Sequence, residues 1–305
     1  MPILLDHKQL EKLERRRRTP RRVKGVKSPA SPERILRQQL EALWARVLLP
    51  ATERLKQYAQ EGVNAQVIAD YLDQVLRQAE FEYGLAADDF LTTWKVSMDR
   101  QTRTALMRGL ADSLGVDLTA LYDDPIIQDV LAVSSLDAAG LITSIPSEYL
   151  GQVARSVRDN FTGVPLPEGR SLTEQIQHLG SVSYGRAKLI ARDQTKKLNS
   201  NLNQARQQSV GITLYIWKTV RDERVVGRPG GLYPQGNKAH GNHYVMEGLY
   251  CRWDDSTVYS EDRGETWKKR QAEMPQTHPG QDIQCRCHAA PVVDIDQILK
   301  YMEAA

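Results

Sequence analysis

Apolar residues at three- and four-residue spacing predict long helices through the first two thirds of the chain. The first helix begins at Ser31-Pro32-Glu33, because serine is a preferred N-cap, proline fits the first helical position and glutamate complements the helix dipole. Its apolar stripe consists of Ile35, Leu36, Leu40, Leu43, Trp44, Val47 and Leu48. Pro50 is expected to kink or restart this helix, and Gly62 to end it.

The same periodicity predicts further helices over residues 64–79, 88–114, 125–138 and 147–160. A turn-rich segment follows, and the capping box of Ser171 and Glu174 then starts a short helix that ends near Gly180. The next helix, over residues 182–209, is polar with a narrow apolar seam. We therefore expect it to have one packed face and a wide solvated face.

The pattern changes from helical to alternating at Gly211. Ile212, Leu214 and Ile216 predict a strand, and a loop rich in glycine and proline follows it. One or two helical turns are expected over residues 265–273, and a strand followed by a terminal helix over 291–300. The predicted fold class is α+β, with a predominantly helical N-terminal two thirds and a small C-terminal α+β module of short strands and glycine-rich loops.

Composition is that of a soluble globular protein with room for two domains: 305 residues, 41% hydrophobic and 26% charged. No run approaches the roughly 18–20 apolar residues that cross a bilayer. The N-terminus lacks the apolar core of a signal peptide, because Ile3-Leu4-Leu5 is followed at once by Asp6. Synthesis in the cytoplasm and no membrane partner are the resulting expectations.

The charge is unevenly distributed along the chain. Residues 1–27 carry ten Lys or Arg against three acids, about +7, which leaves the rest at about −4 from a total of +3. We expect residues 1–30 to form a basic flexible arm. One interpretation is an arm that binds DNA phosphates, and the other is a solvated tail without a ligand. The candidate DNA-binding residues are Arg15, Arg16, Arg17, Arg18, Arg21 and Arg22.

All three cysteines and four of the six histidines lie between His240 and His288. Cys285 and Cys287 are two residues apart, so an extended backbone directs both thiols to one face. Zinc takes four tetrahedral N or S ligands. Candidates near the two thiols are His240, His243, Cys251, His278 and His288. The predicted set is His243, His278, Cys285 and Cys287. The alternative is that the cysteines are small buried apolar groups and the histidines bond to loop backbone.

Two catalytic interpretations also exist for this segment. His240-Gly-Asn-His243 is similar to histidine–asparagine–histidine metal nucleases, with His243 as base and a metal held by Asp222 or Asp255. The spacing of such nucleases is absent, however, and no paired carboxylates accompany the histidines. A nucleophile pair would join Cys285 to His278 or His288. Neither forms a convincing catalytic constellation, so no enzymatic activity is predicted.

An ordered set of residues in the second half resembles the phage head morphogenesis family, the minor head proteins similar to the F protein of bacteriophage Mu. The resemblance covers about residues 150–295. Its motifs are Ala191-Arg192-Asp-Gln, Asn199, Asn203, Gly211, Trp217-x-Thr219, Asp222-x-Arg224-Val225, His243-x4-Gly248 and His278-Pro-Gly-x4-Cys285-Arg-Cys287. The family positions carried over to this chain are Trp217, Asp222, Arg224, His243, Gly248, Cys285, Arg286 and Cys287.

The resemblance implies an assembly role in the virion head, close to the portal vertex. The implied partners are the portal protein, the major capsid or scaffolding protein, and packaged double-stranded DNA contacted by the arm. The implied organisation is an arm over residues 1–30, a helical docking region over 31–160 and a head morphogenesis domain over 170–300. The glycine-rich segment between Arg224 and His243 is longer than is usual in the family, so His240 could take the place of His243. The alternative function is a metal-dependent hydrolase or nuclease centred on His243 and Asp222.

Overall fold

A computed structural model describes residues 8, 11, 15, 21–115, 125–235 and 241–304; for residues 298 and 301–304 it describes only the backbone. The described helices are α1 (Ala30–Glu61), α2 (Ala65–Leu114), α3 (Pro125–Phe161), α4 (Leu172–Gln208) and α5 (Ile295–Ala304). The strands are β1 (Arg21–Arg22), β2 (Leu214–Lys218), β3 (Tyr250–Arg252), β4 (Asp255–Ser260), β5 (Lys268–Lys269) and β6 (His288–Val293). The predicted α+β class is confirmed.

The helices are longer and fewer than the sequence pattern predicted. Each of α2, α3 and α4 is continuous where two helices were expected, and α1 runs through Pro50. Gly180 lies inside α4 and not at a helix end. A Cβ at this position would lie 3.1 Å from the Thr52 side chain, so a larger residue would crowd α1. This glycine therefore serves close packing. The helical turns expected over residues 265–273 are also wrong, since β5 pairs there with β4.

Two compact units divide the chain, and neither is continuous in sequence. The helical unit comprises Ala30–Val96 and Ser134–Gln194, and the sheet unit comprises Met1–Pro29, Ser97–Val133 and Thr195–Ala305. The boundaries fall inside α2, α3 and α4. The sequence suggested consecutive segments instead, because periodicity identifies elements but not their tertiary neighbours.

Helix α3 is long and apolar enough, by length and composition alone, to cross a membrane. This finding qualifies the prediction that no segment approaches such a span. Within the helical unit, the same helix buries Ala138, Ile142, Ile145 and Tyr149 at helical spacing. That part of α3 therefore contributes to a protein core.

The six strands of the sheet unit form one antiparallel sheet in the order β1-β6-β2-β3-β4-β5. Side chains of β2 alternate between two buried layers, as the period of a strand requires. Tyr215 and Trp217 pack with Cys251, Cys285 and Cys287, whereas side chains on the other face form a second layer made of Ile216, Tyr250, Ala290 and Val292. Burial on both faces places β2 at the centre of the module.

Residues 21–29 are packed and do not belong to a flexible arm. Arg21 and Arg22 pair with the end of β6, and Val23 and Val26 are only 2% and 4% exposed. The Asn199 amide donates to the Val26 carbonyl at 3.3 Å. The prediction of a flexible arm is therefore wrong for this segment, because two valines among the basic residues supply the apolar surface that the charge pattern concealed.

The C-terminal half of α4 buries polar side chains that were expected to be solvated. Buried polar residues in this stretch are Asp193, Gln194, Thr195, Lys196, Asn199, Ser200, Asn203, Arg206 and Gln207. Arg206 bonds to Asp99 and Thr102 of α2, and the Trp253 indole donates to Gln207 at 2.9 Å. The wide solvated face is wrong here. Tertiary hydrogen bonds such as those of Arg206 and Gln207 offset part of the cost of burying polar groups.

Candidate metal centre

The backbone around His243 is fixed by a tight turn. The Asn242 side-chain oxygen accepts hydrogen bonds from the amides of Tyr244 and Val245 at 3.1 and 3.4 Å. Gly241 has φ +72°, and a Cβ there would lie 2.5 Å from the Pro275 nitrogen. Only glycine fits both the conformation and the space. The turn therefore presents the His243 imidazole in one defined position.

Cys285 and Cys287 lie on the segment that leads into β6. The Cys285 amide donates to the Asp282 carbonyl at 3.0 Å, and the Gly280 amide points at the Cys285 Sγ at 3.3 Å. Both thiols face the same side of the backbone, as was predicted from their two-residue spacing. The Cys285 Sγ and Cys287 Sγ lie 3.4 and 3.6 Å from the His243 Nδ1.

The other imidazole nitrogen of His243 contacts a carboxylate. His243 Nε2 lies 3.2 Å from Asp282 Oδ2. His243, Cys285 and Cys287 are only 5%, 7% and 8% exposed, and their ligand atoms all lie within 4.8 Å of one another. Among the described residues, these three form the one group that could hold a metal ion. The arrangement is a buried histidine with two thiols on one side and an acid on the other.

Hydrogen bonds within this group shift its ionisation. Burial lowers the pKa of His243, but the bonds with Asp282 and Cys285 outweigh it and raise this pKa to about 10. The Cys287 hydrogen bond and the nearby imidazole hold the pKa of Cys285 well below its usual range. The same bond, together with burial, raises the pKa of Cys287. These shifts run in the directions that favour charge on the His243 imidazole and on the Cys285 sulfur.

His278 does not join this group. Its Nδ1 lies 2.9 Å from the Tyr215 hydroxyl, and its ring packs against Trp253 at a centroid distance of 5.0 Å. Burial lowers the pKa of His278 to about 4. The structure thus brings together three of the four predicted ligands, and His278 instead fills the core beside Tyr215.

Asp222 belongs to an ion pair and not to the His243 cluster. The Arg286 guanidinium bonds to both of its carboxylate oxygens, and the Arg224 amide donates to Asp222 Oδ1 at 3.0 Å. The Arg286 hydrogen bond lowers the pKa of this carboxyl. Within the described ranges, Asp222 is not part of the group that could hold a metal ion with His243.

Trp217 and Gly248 support the loop that carries His243. The Trp217 side chain is fully buried, and its ring lies edge-on to His243 at a centroid distance of 5.7 Å. The Gly248 amide donates to the Trp217 carbonyl at 2.9 Å, from a backbone with φ +87°. Strand β2 therefore holds both ends of the turn around His243.

Of the predicted DNA-binding arginines, the structure describes Arg15, Arg21 and Arg22, and these differ in their contacts. Arg15 is exposed and lies 3.7 Å from Glu11. Arg21 donates to the Ser113 carbonyl, and Arg22 donates to the Tyr250 hydroxyl at 2.7 Å. The remaining site residues of the sequence analysis, Arg16, Arg17, Arg18 and His240, lie outside the described residues. Arg21 and Arg22 are therefore engaged within the sheet unit, whereas the exposed Arg15 stays a candidate for contact with DNA.

Sequence reasoning missed two residues of the centre. Asp282 contacts His243, and the buried Arg270 donates to the Pro275 carbonyl at 2.7 Å and to the Cys251 Sγ at 3.3 Å. The Arg270 guanidinium also lies over the Trp217 ring, 5.4 Å from its centroid. Asp282 is three residues before Cys285, yet an acid in a turn-rich segment carries no distinguishing signal.

Replacing glycine in the His243 turn tests how rigidly the turn is held. Gly241→Ala should destabilise the sheet unit by about 3 kcal/mol or more, because the methyl group meets backbone and the positive φ is strained. Gly248→Ala has open space within 4 Å, so backbone strain of about 1–2 kcal/mol is the expected cost. Urea unfolding followed by tryptophan fluorescence measures both. Equal effects would contradict the packing role of Gly241.

Glu247 should make the stability of this module fall at low pH. It accepts from the Thr219 amide at 2.6 Å and from Arg221 at 2.8 Å. Although burial opposes the shift, these bonds lower the pKa of Glu247 to about 2, from 4.5. Its contribution is complete above about pH 4.5 and is lost as the pH falls through about 2.

For Glu247→Gln we expect a loss of about 1–2 kcal/mol at pH 7, after allowance for solvent screening, and a smaller loss at pH 3. Unfolding by urea at both pH values is the measurement. Glu261→Gln is the matched control, because its ion pair with Lys268 is more than half exposed and should change stability little. A loss independent of pH would rule out the ionised carboxylate as the cause.

Comparison with known proteins adds one relative. No family model matches the chain, and no solved structure matches it. An uncharacterized protein of Haemophilus influenzae (strain Rd) is 29% identical over an alignment of 301 residues, which covers 95% of this chain and 60% of the relative. The chain thus spans about 60% of the length of that protein. The function has to be inferred from the residues themselves.

Proposed function

We propose that this chain is a minor head protein of a bacteriophage, acting in head assembly at the portal vertex. The observation that carries the proposal is the convergence of the positions that resemble the head morphogenesis family. Trp217 packs against His243, which meets Cys285 and Cys287. Arg286 pairs with Asp222 across 64 residues of sequence. Residues that carry the resemblance are far apart in sequence but contact one another, and these contacts support the proposal.

Burial favours a structural use of this cluster. His243 and both cysteines are more than nine-tenths buried. The Arg286 guanidinium and the Asp222 carboxylate are paired with each other. A substrate would have to displace core packing to reach these groups. In the proposed function the sheet unit is therefore a rigid module, and contacts with partners are made elsewhere on the chain.

The helical unit supplies the proposed docking surface for the portal protein. Phe81 and Leu85 are one helical turn apart on α2 and are 67% and 62% exposed. Leu136 on α3 is 72% exposed. Large apolar side chains in such positions are typical of surfaces that a partner covers. The major capsid or scaffolding protein is a further proposed partner, and the head interior near the portal is the proposed location.

The test is co-assembly with the portal protein encoded in the same phage genome. We expect the full chain to sediment with portal rings, and Phe81→Glu/Leu85→Glu to remove it from the ring fraction. Leu232→Glu/Tyr233→Glu is the matched control, because these residues are 56% exposed in a loop of the sheet unit. Absence of the wild-type chain from both portal rings and assembled heads would refute the proposal.

The proposed DNA contact is carried by the arginines before residue 21. Substituting Arg15–Arg18 with glutamine should lower DNA retention on filters and flatten its dependence on salt, because fewer phosphate counterions are released. Val23, Val26 and the rest of the packed segment remain intact in this variant. Retention with an unchanged salt dependence would show that the arm is a solvated tail.

A further inference from the structure

We infer that His243, Cys285 and Cys287 bind one soft divalent cation of the Zn²⁺ class, with Asp282 orienting the imidazole. This inference goes beyond the proposed assembly role, since it rests on the donor atoms alone. It also changes the ligand set expected from the sequence, because Asp282 enters as a positioning residue and His278 leaves. Imidazole and thiolate are the ligands that zinc prefers in proteins.

The distances between the donor atoms fit a common metal ion. Zinc bonds of about 2.3 Å to sulfur and about 2.05 Å to nitrogen, at a tetrahedral angle, place sulfur and nitrogen about 3.6 Å apart. The two Sγ atoms lie 3.4 and 3.6 Å from the His243 Nδ1. Both sulfur–nitrogen pairs are thus already close to the separation that a tetrahedral ion imposes, and all three donor atoms lie within 4.8 Å of one another.

Hydrogen bonds explain the approach of two sulfur atoms to one imidazole nitrogen less well than a metal ion does. A neutral imidazole nitrogen has one lone pair, so Nδ1 of His243 cannot accept well-aligned bonds from two thiols. If the imidazole is protonated instead, its single N–H at Nδ1 can point at only one sulfur. A cation placed among the three atoms satisfies all of them at once.

The residues around the donors have the features of a second coordination shell. His243 Nε2 faces Asp282 Oδ2 at 3.2 Å, the carboxylate–histidine pairing that fixes the tautomer of a metal-binding imidazole. The Gly280 amide directed at Cys285 Sγ stabilises negative charge on that sulfur. Burial removes water from the thiolates, which makes their negative charge costly. The positive charge of the ion would offset that cost.

Such an ion would add a coordinate link between two segments that the contact of His243 with Asp282 already joins. His243 comes from the turn after the glycine-rich loop, and the cysteines come from the segment before β6. Three protein ligands leave a further coordination position for a solvent molecule or an additional donor. The inferred role is to lock the module, and the ligand class is a borderline-soft cation.

The experiment uses the full chain purified in reductant, with metal content measured by mass spectrometry and Co²⁺ added as a spectroscopic probe. We expect about one zinc per chain, and a Co²⁺ complex with thiolate charge-transfer absorption and the visible bands of tetrahedral geometry. Titration of the wild-type chain supplies this readout even if a variant fails to fold. A wild-type chain without bound zinc and without these Co²⁺ bands would overturn the inference.

Variants then assign the ligands. Cys285→Ser, Cys287→Ser and His243→Gln should each lose the bound metal, whereas the buried controls Cys251→Ser and His278→Gln should retain it. Asp282→Asn should keep the stoichiometry at saturating metal but weaken binding roughly 10- to 100-fold, as expected for an orienting residue. Loss of metal in His278→Gln, or retention in Cys285→Ser and Cys287→Ser together, would overturn the assigned ligand set.

Discussion

Replacing Arg206 with alanine is expected to lower the free energy of unfolding of the sheet unit by about 3–5 kcal/mol. This side chain is 1% exposed and joins α4 to α2 through Asp99 and Thr102. Its removal leaves Asp99 beside a cavity without its countercharge. The measurement is urea unfolding followed by the fluorescence of Trp217 in β2 and of Trp253, which directly follows β3.

Arg158→Ala is the control for the loss of an arginine. Its side chain is 67% exposed and pairs with the neighbouring Asp159, so a change within about 0.5 kcal/mol is expected. Arg206→Lys should recover part of the stability, because it keeps the charge but loses the two-pronged donor geometry. Equal effects of the substitutions at positions 206 and 158 would contradict a structural role for the buried Arg206 side chain.

Trp217→Ala is expected to cost about 3–5 kcal/mol and to loosen the turn around His243. The indole is fully buried, lies edge-on to His243 and sits under the Arg270 guanidinium. Its loss leaves a cavity and an arginine deprived of its ring partner. The expected result is a lower urea midpoint together with faster hydrogen exchange at residues 241–248.

Trp267→Ala serves as the comparison, because Trp267 is half-buried and contacts Arg252 at the surface. About 1 kcal/mol is expected for this change. Trp217→Phe should fall between the two, since it retains an aromatic ring with less volume. If Trp217→Ala were no more destabilising than Trp267→Ala, the packing of β2 against the His243 turn would not hold the module together.

The periodicity of apolar residues predicted where helices lie, but not where they end. Pro50 and Gly180 are ordinary breaking signals, yet α1 and α4 continue through both. Packing against neighbouring helices can offset the roughly 1 kcal/mol that a helical glycine costs. Glycine at 180 also serves the approach of Thr52, a reason that becomes visible only when the two helices are placed together.

Charge patterning was a weaker guide than apolar patterning. The basic residues 21–27 suggested an arm in solvent, whereas Val23 and Val26 pack in the core and hold the segment there. The polar half of α4 suggested a solvated face, whereas its side chains bond to distant backbone and side chains. The sequence does not show which tertiary hydrogen-bond partner a polar group will have. That partner decides whether the free-energy cost of burying the group is offset.

By itself, the sequence determined the α+β class, the change from helices to strands at Gly211 and the cysteine pair with both thiols on one face. These features follow from local periodicity and from the geometry of one strand. Tertiary structure alone decided that His243 and not His278 meets the thiols, and that Asp282 stands behind the imidazole. The reason is physical: histidines that look equivalent in sequence differ only in which distant strand and turn bring them into contact.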